Sequence, residues 1–356
     1  MKGKEAKRIE FIDSLKGFGI FLVIWGHCIQ YLNKNIHFID NFIYEFIYSF
    51  HMPLFFMISG FFFLSSLKLN FKDFLYKKFT QLLLPCIVWS IIYTSIYTLA
   101  HIVKGKTIDY EFIVLQTFNP YNWPFWFLKE LFISYILIYL AYKLLKKDWL
   151  VFLLSIVLVC IIPFFDFQRF LLPLFLVGIY LKKNYLLIKK YSIYLLCISA
   201  VLFLTGLFFW KGQYAVYFTG FPSIITLNPL GINLLNIDIS IFRLCIGIIG
   251  SFFFFILFEK IYTKNKFFFS LEKVGKGTLA IYIMQGFILE KGLSKINLSF
   301  PNETIFSLLI APILSILILI ICIYIIKWID KNKYIGFYLL GNSLQNPPKV
   351  KENVRN

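Results

Sequence analysis

FIDSLKGFGIFLVIWGHCIQYL, residues 11–32, is long and apolar enough for a membrane helix, yet it carries Asp13, Lys16 and His27. Ionisable groups inside a membrane span are costly and mark functional sites by default. Lys16 and His27 are eleven residues apart. At about 100° per residue that is roughly 20° past three turns, and Asp13 to His27 falls about 40° short of four. The three therefore share one helical face, with Lys16 about 16 Å along the axis from His27 at ~1.5 Å per residue. The pattern is a polar seam running from one membrane surface toward the middle, and the remaining apolar runs form the wall around it.

The composition agrees. Hydrophobic residues make up 59 % and charged residues 15 % of the 356, which places the chain among polytopic membrane proteins. The net charge of +18 does not point to nucleic acid, because the basic residues recur in short loops between apolar runs, the distribution that sets membrane topology. About ten spans are expected, near 14–33, 41–66, 76–103, 124–145, 149–165, 169–182, 191–210, 239–262, 276–293 and 304–328. With both termini cytoplasmic, most of the 36 Lys and Arg fall inside. Only Lys34, Lys104, Lys106, Arg169, Lys211, Lys291 and Lys295 then lie outside. The expected fold is all-α: a polytopic transmembrane bundle forming one domain over 1–340, with a polar, disordered cytoplasmic tail at 341–356. Two outer loops, 104–123 and 211–238, are longer, and the second is a candidate lid or acceptor-side loop. Cys28, Cys86, Cys160, Cys197, Cys245 and Cys322 all sit in apolar runs and read as packing residues, so neither disulfides nor a metal site is expected.

Several other residues fit either chemistry or architecture. A neutral His27 imidazole suits a general base, or it ties two helices together. Lys16 suits a phosphate or snorkels to the surface. Asp13 supports the site, or caps the helix and pairs with Lys16. SFHMPLFFMISGFFF (49–63) contributes His51, Pro53 and a close-packing Ser59-Gly60. YKKFTQLLLPCIVW (76–89) places Lys77 and Lys78 at a helix start, with Gln81 a turn on and Pro85 bending the helix. These lysines set topology or bind a polyanion together with Lys16. In NWPFWFLKELF (122–132), Trp123 and Trp126 suit an aromatic belt, while Lys129 and Glu130 must pair or face a wet cavity. Arg243 obeys the same rule, with Asp238 as its candidate partner. GKGTLAIYIMQGFILE (275–290) holds Tyr282, Gln285 and Glu290.

Taken together these stretches resemble the integral-membrane acyltransferase family 3, the O-acyltransferases of surface polysaccharides. The resemblance lies in the Lys16…His27 spacing and in FHMPLFFMISGFFF (50–63), KKFTQLLLP (77–85), WFLKELF (126–132) and GKGTLAIYIMQ (275–285), in the family's order. This chain has Lys16, Lys77, Lys78 and Gln81 where the family commonly has arginines, and Gln285 where many relatives have His. The resemblance implies a bacterial plasma-membrane enzyme that moves an acyl group, acetyl in the first instance, from cytoplasmic acyl-CoA to a glycan hydroxyl. Polysaccharide-assembly proteins would be partners. Carried onto this chain, His27 and Asp13 would be catalytic, Lys16, Lys77 and Lys78 would hold the CoA, and His51, Trp126, Glu130 and Arg243 would lie on the acceptor side. The alternatives are a transporter or flippase for a polysaccharide precursor or small acyl anion, and a non-catalytic subunit of a polysaccharide synthase.

Overall fold

The computed structural model describes residues 9–35, 37–107, 109–119, 125–161, 165–215, 225–227, 230–232, 236–296 and 299–342. Trp123, half of the 211–238 loop and the tail beyond 342 lie outside the described residues. The long helices are α1 (Glu10–Leu32), α2 (Phe42–Phe63) and α3 (Phe71–Val103). After α4 (Tyr110–Phe118) come α5 (Trp126–Leu144), α6 (Asp148–Ile161), α7 (Gln168–Lys183), α8 (Tyr185–Lys190) and α9 (Ser192–Phe208). The chain continues through α10 (Ile237–Ile261), α11 (Lys266–Lys276), α12 (Thr278–Gly286), α13 (Glu303–Ile329) and α14 (Lys333–Leu340).

Among the described residues, α1, α2, α3, α10 and α13 are long and apolar enough to cross a membrane. The fold is helical, and the expected spans all coincide with helices. One departure is an antiparallel pair of three-residue strands inside the 211–238 loop, with Ile225 in register with Ile232. Others are short helices where loops were expected. Three of these begin at an Asx cap: Asp109 accepts from the Phe112 amide before α4, Asn265 from Phe268 before α11, and Asn332 from Tyr334 before α14. Lysine-rich stretches near a membrane read as loops, yet α11 is amphipathic and buries Phe268, Glu272 and Gly275 against α1.

Two glycine crossings set the frame. A Cβ on Gly60 would lie 1.9 Å from the Phe175 carbonyl oxygen, and one on Gly178 1.9 Å from that of Met57, so α2 and α7 meet backbone to backbone. A Cβ on Gly17 would lie 2.1 Å from the Leu271 oxygen, and one on Gly275 1.7 Å from that of Asp13, which clamps α1 to α11. In lipid such small-residue contacts replace the water-driven core. Proline frees a backbone carbonyl a turn earlier. Ahead of Pro85, α3 widens into a π-helical segment at Phe79–Leu83, a distortion common at functional sites. The Trp89 indole donates to the Leu339 carbonyl at 2.9 Å, tying α14 to this helix.

Candidate active site

At the Leu32 end of α1 the helices part around a cavity of ≈ 240 Å³. His27, Gln30 and Tyr31 reach it from α1, Tyr48, His51 and Met52 from α2, Phe125 and Trp126 from the start of α5, and Tyr282, Gln285 and Glu290 from α12 and its π-helical continuation. Phe170, Trp210 and Tyr214 complete the wall.

The hydrogen bonds fix which nitrogen of each imidazole is free. Gln285 Nε2 donates to the Tyr282 carbonyl at 3.1 Å, so its Oε1 turns to His27, whose Nδ1 lies 2.8 Å away. An amide oxygen only accepts. The proton of a neutral His27 is therefore on Nδ1, and Nε2 keeps its lone pair for the cavity. His51 repeats the arrangement: its Nδ1 donates to the Ile47 carbonyl at 2.7 Å, which leaves Nε2 as an acceptor. The ring of Tyr48 lies edge-on to His51, with centroids 4.6 Å apart, and its hydroxyl donates to Gln30 Oε1 at 3.2 Å. Glu290 stands at the mouth, paired with Lys291 at 2.8 Å.

A second, mostly apolar slot of ≈ 30 Å³, about the volume of one water, lies beside this cavity. Val23, Met52 and Tyr282 border both spaces, and Ile20, Phe55, Phe127, Thr278 and Leu279 enclose the slot. Ile20 is one turn from Lys16, so the slot points along α1 toward the Glu10 end. There Lys16 Nζ pairs with Asp13 at 2.6 Å. Lys78 is buried, its Nζ 3.5 Å from the centre of the Tyr135 ring, whose hydroxyl donates to the Ser59 carbonyl. Ser59 lies one turn beyond Phe55, which places Lys78 at the same end of the slot as Lys16.

The sequence candidates therefore separate into groups. His27, His51 and Trp126 meet in the cavity, and Trp126 stacks on Phe167 with centroids 5.3 Å apart. Asp13 is not brought to His27; it sits with Lys16 at the far end of the seam, about 20 Å along the helix at ~1.5 Å per residue. Lys77 is exposed and does not share Lys78's burial. Glu130 does not line the cavity. It lies beneath it, 3.4 Å from Lys129 and accepting from Gln168 Nε2 at 2.7 Å, while Ser134 donates to the same glutamine. Arg243 packs its guanidinium 5.0 Å from the Phe170 ring, behind the cavity wall, and Asp238, the partner suggested by sequence, is exposed. Among the described residues no three His, Cys, Asp or Glu side chains gather as a metal site.

Sequence reasoning missed Gln30, Tyr31, Tyr48, Phe125, Trp210 and Tyr214 as cavity residues. Aromatic residues make up 21 % of the chain, so none of these tyrosines or tryptophans stands out. Phe125 has a positive φ of 64°, a conformation that costs a non-glycine residue about 1–3 kcal/mol and tends to persist at functional sites. Its ring packs against Tyr282, with centroids 5.9 Å apart. No sequence signal announces that turn.

The site is thus a half-buried imidazole, His27, and a buried one, His51, in an aromatic cavity within a helical bundle. The family model described as an acyltransferase domain matches residues 9–327, and the chain belongs to this family, acyltransferase family 3. The nodulation protein NolL of Mesorhizobium japonicum is 36 % identical over 132 residues, covering 35 % of this chain and 34 % of NolL. The match therefore spans about a third of that relative's length. No solved structure matches.

Proposed function

We propose that this chain is a plasma-membrane O-acyltransferase that takes an acetyl group from cytoplasmic acetyl-CoA and places it on a hydroxyl of a surface glycan. The observation that carries the reading is the Gln285–His27 hydrogen bond, which holds His27 with its Nε2 lone pair toward the cavity. A positioned imidazole of this kind takes the proton of an attacking hydroxyl. The family assignment supplies the reaction class. The Glu10 end, with Lys16 and Lys78 beyond the slot, is the cytoplasmic, donor end; both termini are cytoplasmic and the helices make about ten crossings. Lysine heads at that end suit the CoA phosphates as point charges. Asp13 holds Lys16 in place rather than touching the reacting atoms. The acceptor enters from the Leu32 end, where Trp126, Trp210 and Tyr214 give flat apolar faces and Gln30, Tyr31 and Glu290 give hydrogen-bonding groups. Sugar rings present both kinds of surface.

The reading is tested with purified protein in lipid, following release or transfer of the labelled acetyl group from acetyl-CoA, with His27→Ala alongside. The variant should fold and lose about 10²–10⁴-fold in turnover, the usual contribution of a positioned base. Equal activity in the two proteins would remove His27 from the chemistry.

A further inference from the structure

His27 and His51 pose a question that a single base does not answer. Both hold their proton on Nδ1, through Gln285 and the Ile47 carbonyl respectively, and both leave an Nε2 lone pair in one cavity. Direct transfer from thioester to hydroxyl uses one base. The second nitrogen carries no proton to give, so in the resting state it is not a general acid; it is a nucleophile.

Their depths differ in a telling way. Across the α1–α2 contact a Cβ on Gly19 would meet Phe55 at 2.9 Å and one on Gly26 would meet Tyr48 at 2.8 Å. That antiparallel register sets His51 level with Val23, four residues below His27, or about 6 Å nearer the Glu10 end at ~1.5 Å per residue. Val23 and Met52, the neighbours of His51 at this level, also line both the cavity and the apolar slot. His51 is thus the first imidazole met from the donor end, and His27 the first met from the acceptor end. The cavity, at ≈ 240 Å³, is also smaller than the ~300–1,000 Å³ typical of one drug-sized ligand. It suits donor and acceptor in turn.

We infer that His51 carries the acyl group between the two substrates. This rests on the acyl-CoA reading above and divides it into two displacements. His51 Nε2 attacks the thioester carbonyl; the N–C bond forms, the C–S bond breaks and CoA leaves as its thiolate. The acyl-imidazolium keeps its Nδ1 proton on the Ile47 carbonyl. His27 Nε2 then takes the proton of the acceptor hydroxyl as the oxygen attacks the acyl carbon; the C–O bond forms, the N–C bond breaks and His51 returns to neutral imidazole. The proton on His27 passes to the CoA thiolate, so the sum is thioester plus alcohol giving ester plus thiol.

A carrier makes a specific exchange possible with no acceptor present: label moves from free CoA into acetyl-CoA. The test compares wild type, His51→Asn and His27→Asn, each asparagine retaining an N–H for the carbonyl or amide that the imidazole contacts. Wild type should exchange. His51→Asn should lose exchange, and His27→Asn should keep it while losing acetyl release and transfer. Exchange that survives in His51→Asn, or that is lost only in His27→Asn, overturns the assignment. A wild type that releases or transfers acetyl without exchanging label overturns the carrier alone. One that leaves acetyl-CoA untouched, in lipid and with native membranes added as acceptor, refutes the donor reading and the carrier with it.

Discussion

The two ends of α1 handle polarity in opposite ways. At the Leu32 end His27 is held by a neutral amide and opens onto a cavity lined by aromatic rings. At the Glu10 end Lys16 is neutralised by Asp13 three residues away, and Gly17 and Gly275 press the backbone of α1 against α11. One helical face therefore carries a lone pair kept for chemistry at one end and a paired charge on a rigid clamp at the other. Breaking the clamp should cost the whole fold, whereas breaking the amide contact should cost only turnover.

The largest effect is expected from the clamp. A Cβ on Gly275 would lie 1.7 Å from the Asp13 carbonyl oxygen, and backbone on both sides leaves no flexible group to yield. Gly275→Val should push α11 off α1 and abolish the monodisperse, folded protein, read by size-exclusion and thermal unfolding. Unaltered stability would show that α11 is not a structural brace. At the other end, Gln285→Leu removes the acceptor for His27 Nδ1. Losing a buried hydrogen bond costs about 1–3 kcal/mol, so turnover should fall about 5- to 150-fold with the KM for acetyl-CoA unchanged. A shift in KM alone would place Gln285 in binding and detach it from the histidine.

The seam was legible because helical periodicity is strict: residues 13, 16 and 27 share a face in any α-helix. His51 and Trp126 were legible as polar or amphipathic residues within apolar runs. Periodicity along one helix says nothing about its neighbours, however. For Asp13 the sequence left two readings open, support of the site or a pair with Lys16, and the structure shows the Lys16 pair. Glu130 and Arg243 had either to pair or to face a cavity; Glu130 lies 3.4 Å from Lys129, and Gln168 and Phe170 contact the two side chains from an element remote in sequence. Gln285, singled out with Tyr282 and Glu290 and as the residue where many relatives have His, is the contact that sets the His27 tautomer. The α11 clamp was hidden by lysines that follow the topology rule and also coat the outer face of an amphipathic helix.

Smaller effects separate the lysines. Lys16→Met removes a cation whose side chain is 23 % exposed and leaves Asp13, 8 % exposed, without its ion pair. The KM for acetyl-CoA should rise about tenfold, with some loss of stability, since stranding a buried charge costs more than the exposed pair contributes. In the double variant Lys16→Met/Asp13→Asn the stability loss should disappear while the raised KM remains. If the KM also recovers, Lys16 serves the fold and not the donor.

The smallest effect sharpens the contrast within one pair of neighbours. Lys77 is exposed on the first turns of α3, whereas Lys78 is buried over the Tyr135 ring at 3.5 Å. A desolvated cation on an aromatic face is worth about 2 kcal/mol, and it lies where the slot approaches the Glu10 end. A free surface lysine contributes mainly long-range attraction, which salt screens within about 8 Å at physiological ionic strength. Lys77→Ala should therefore change the KM for acetyl-CoA less than about twofold, and 0.5 M salt should erase that change. Lys78→Ala should raise the KM more, and the increase should persist in the same salt. Equal, salt-sensitive effects from both would mean that the donor end attracts CoA by diffuse charge, with no built seat at Lys78.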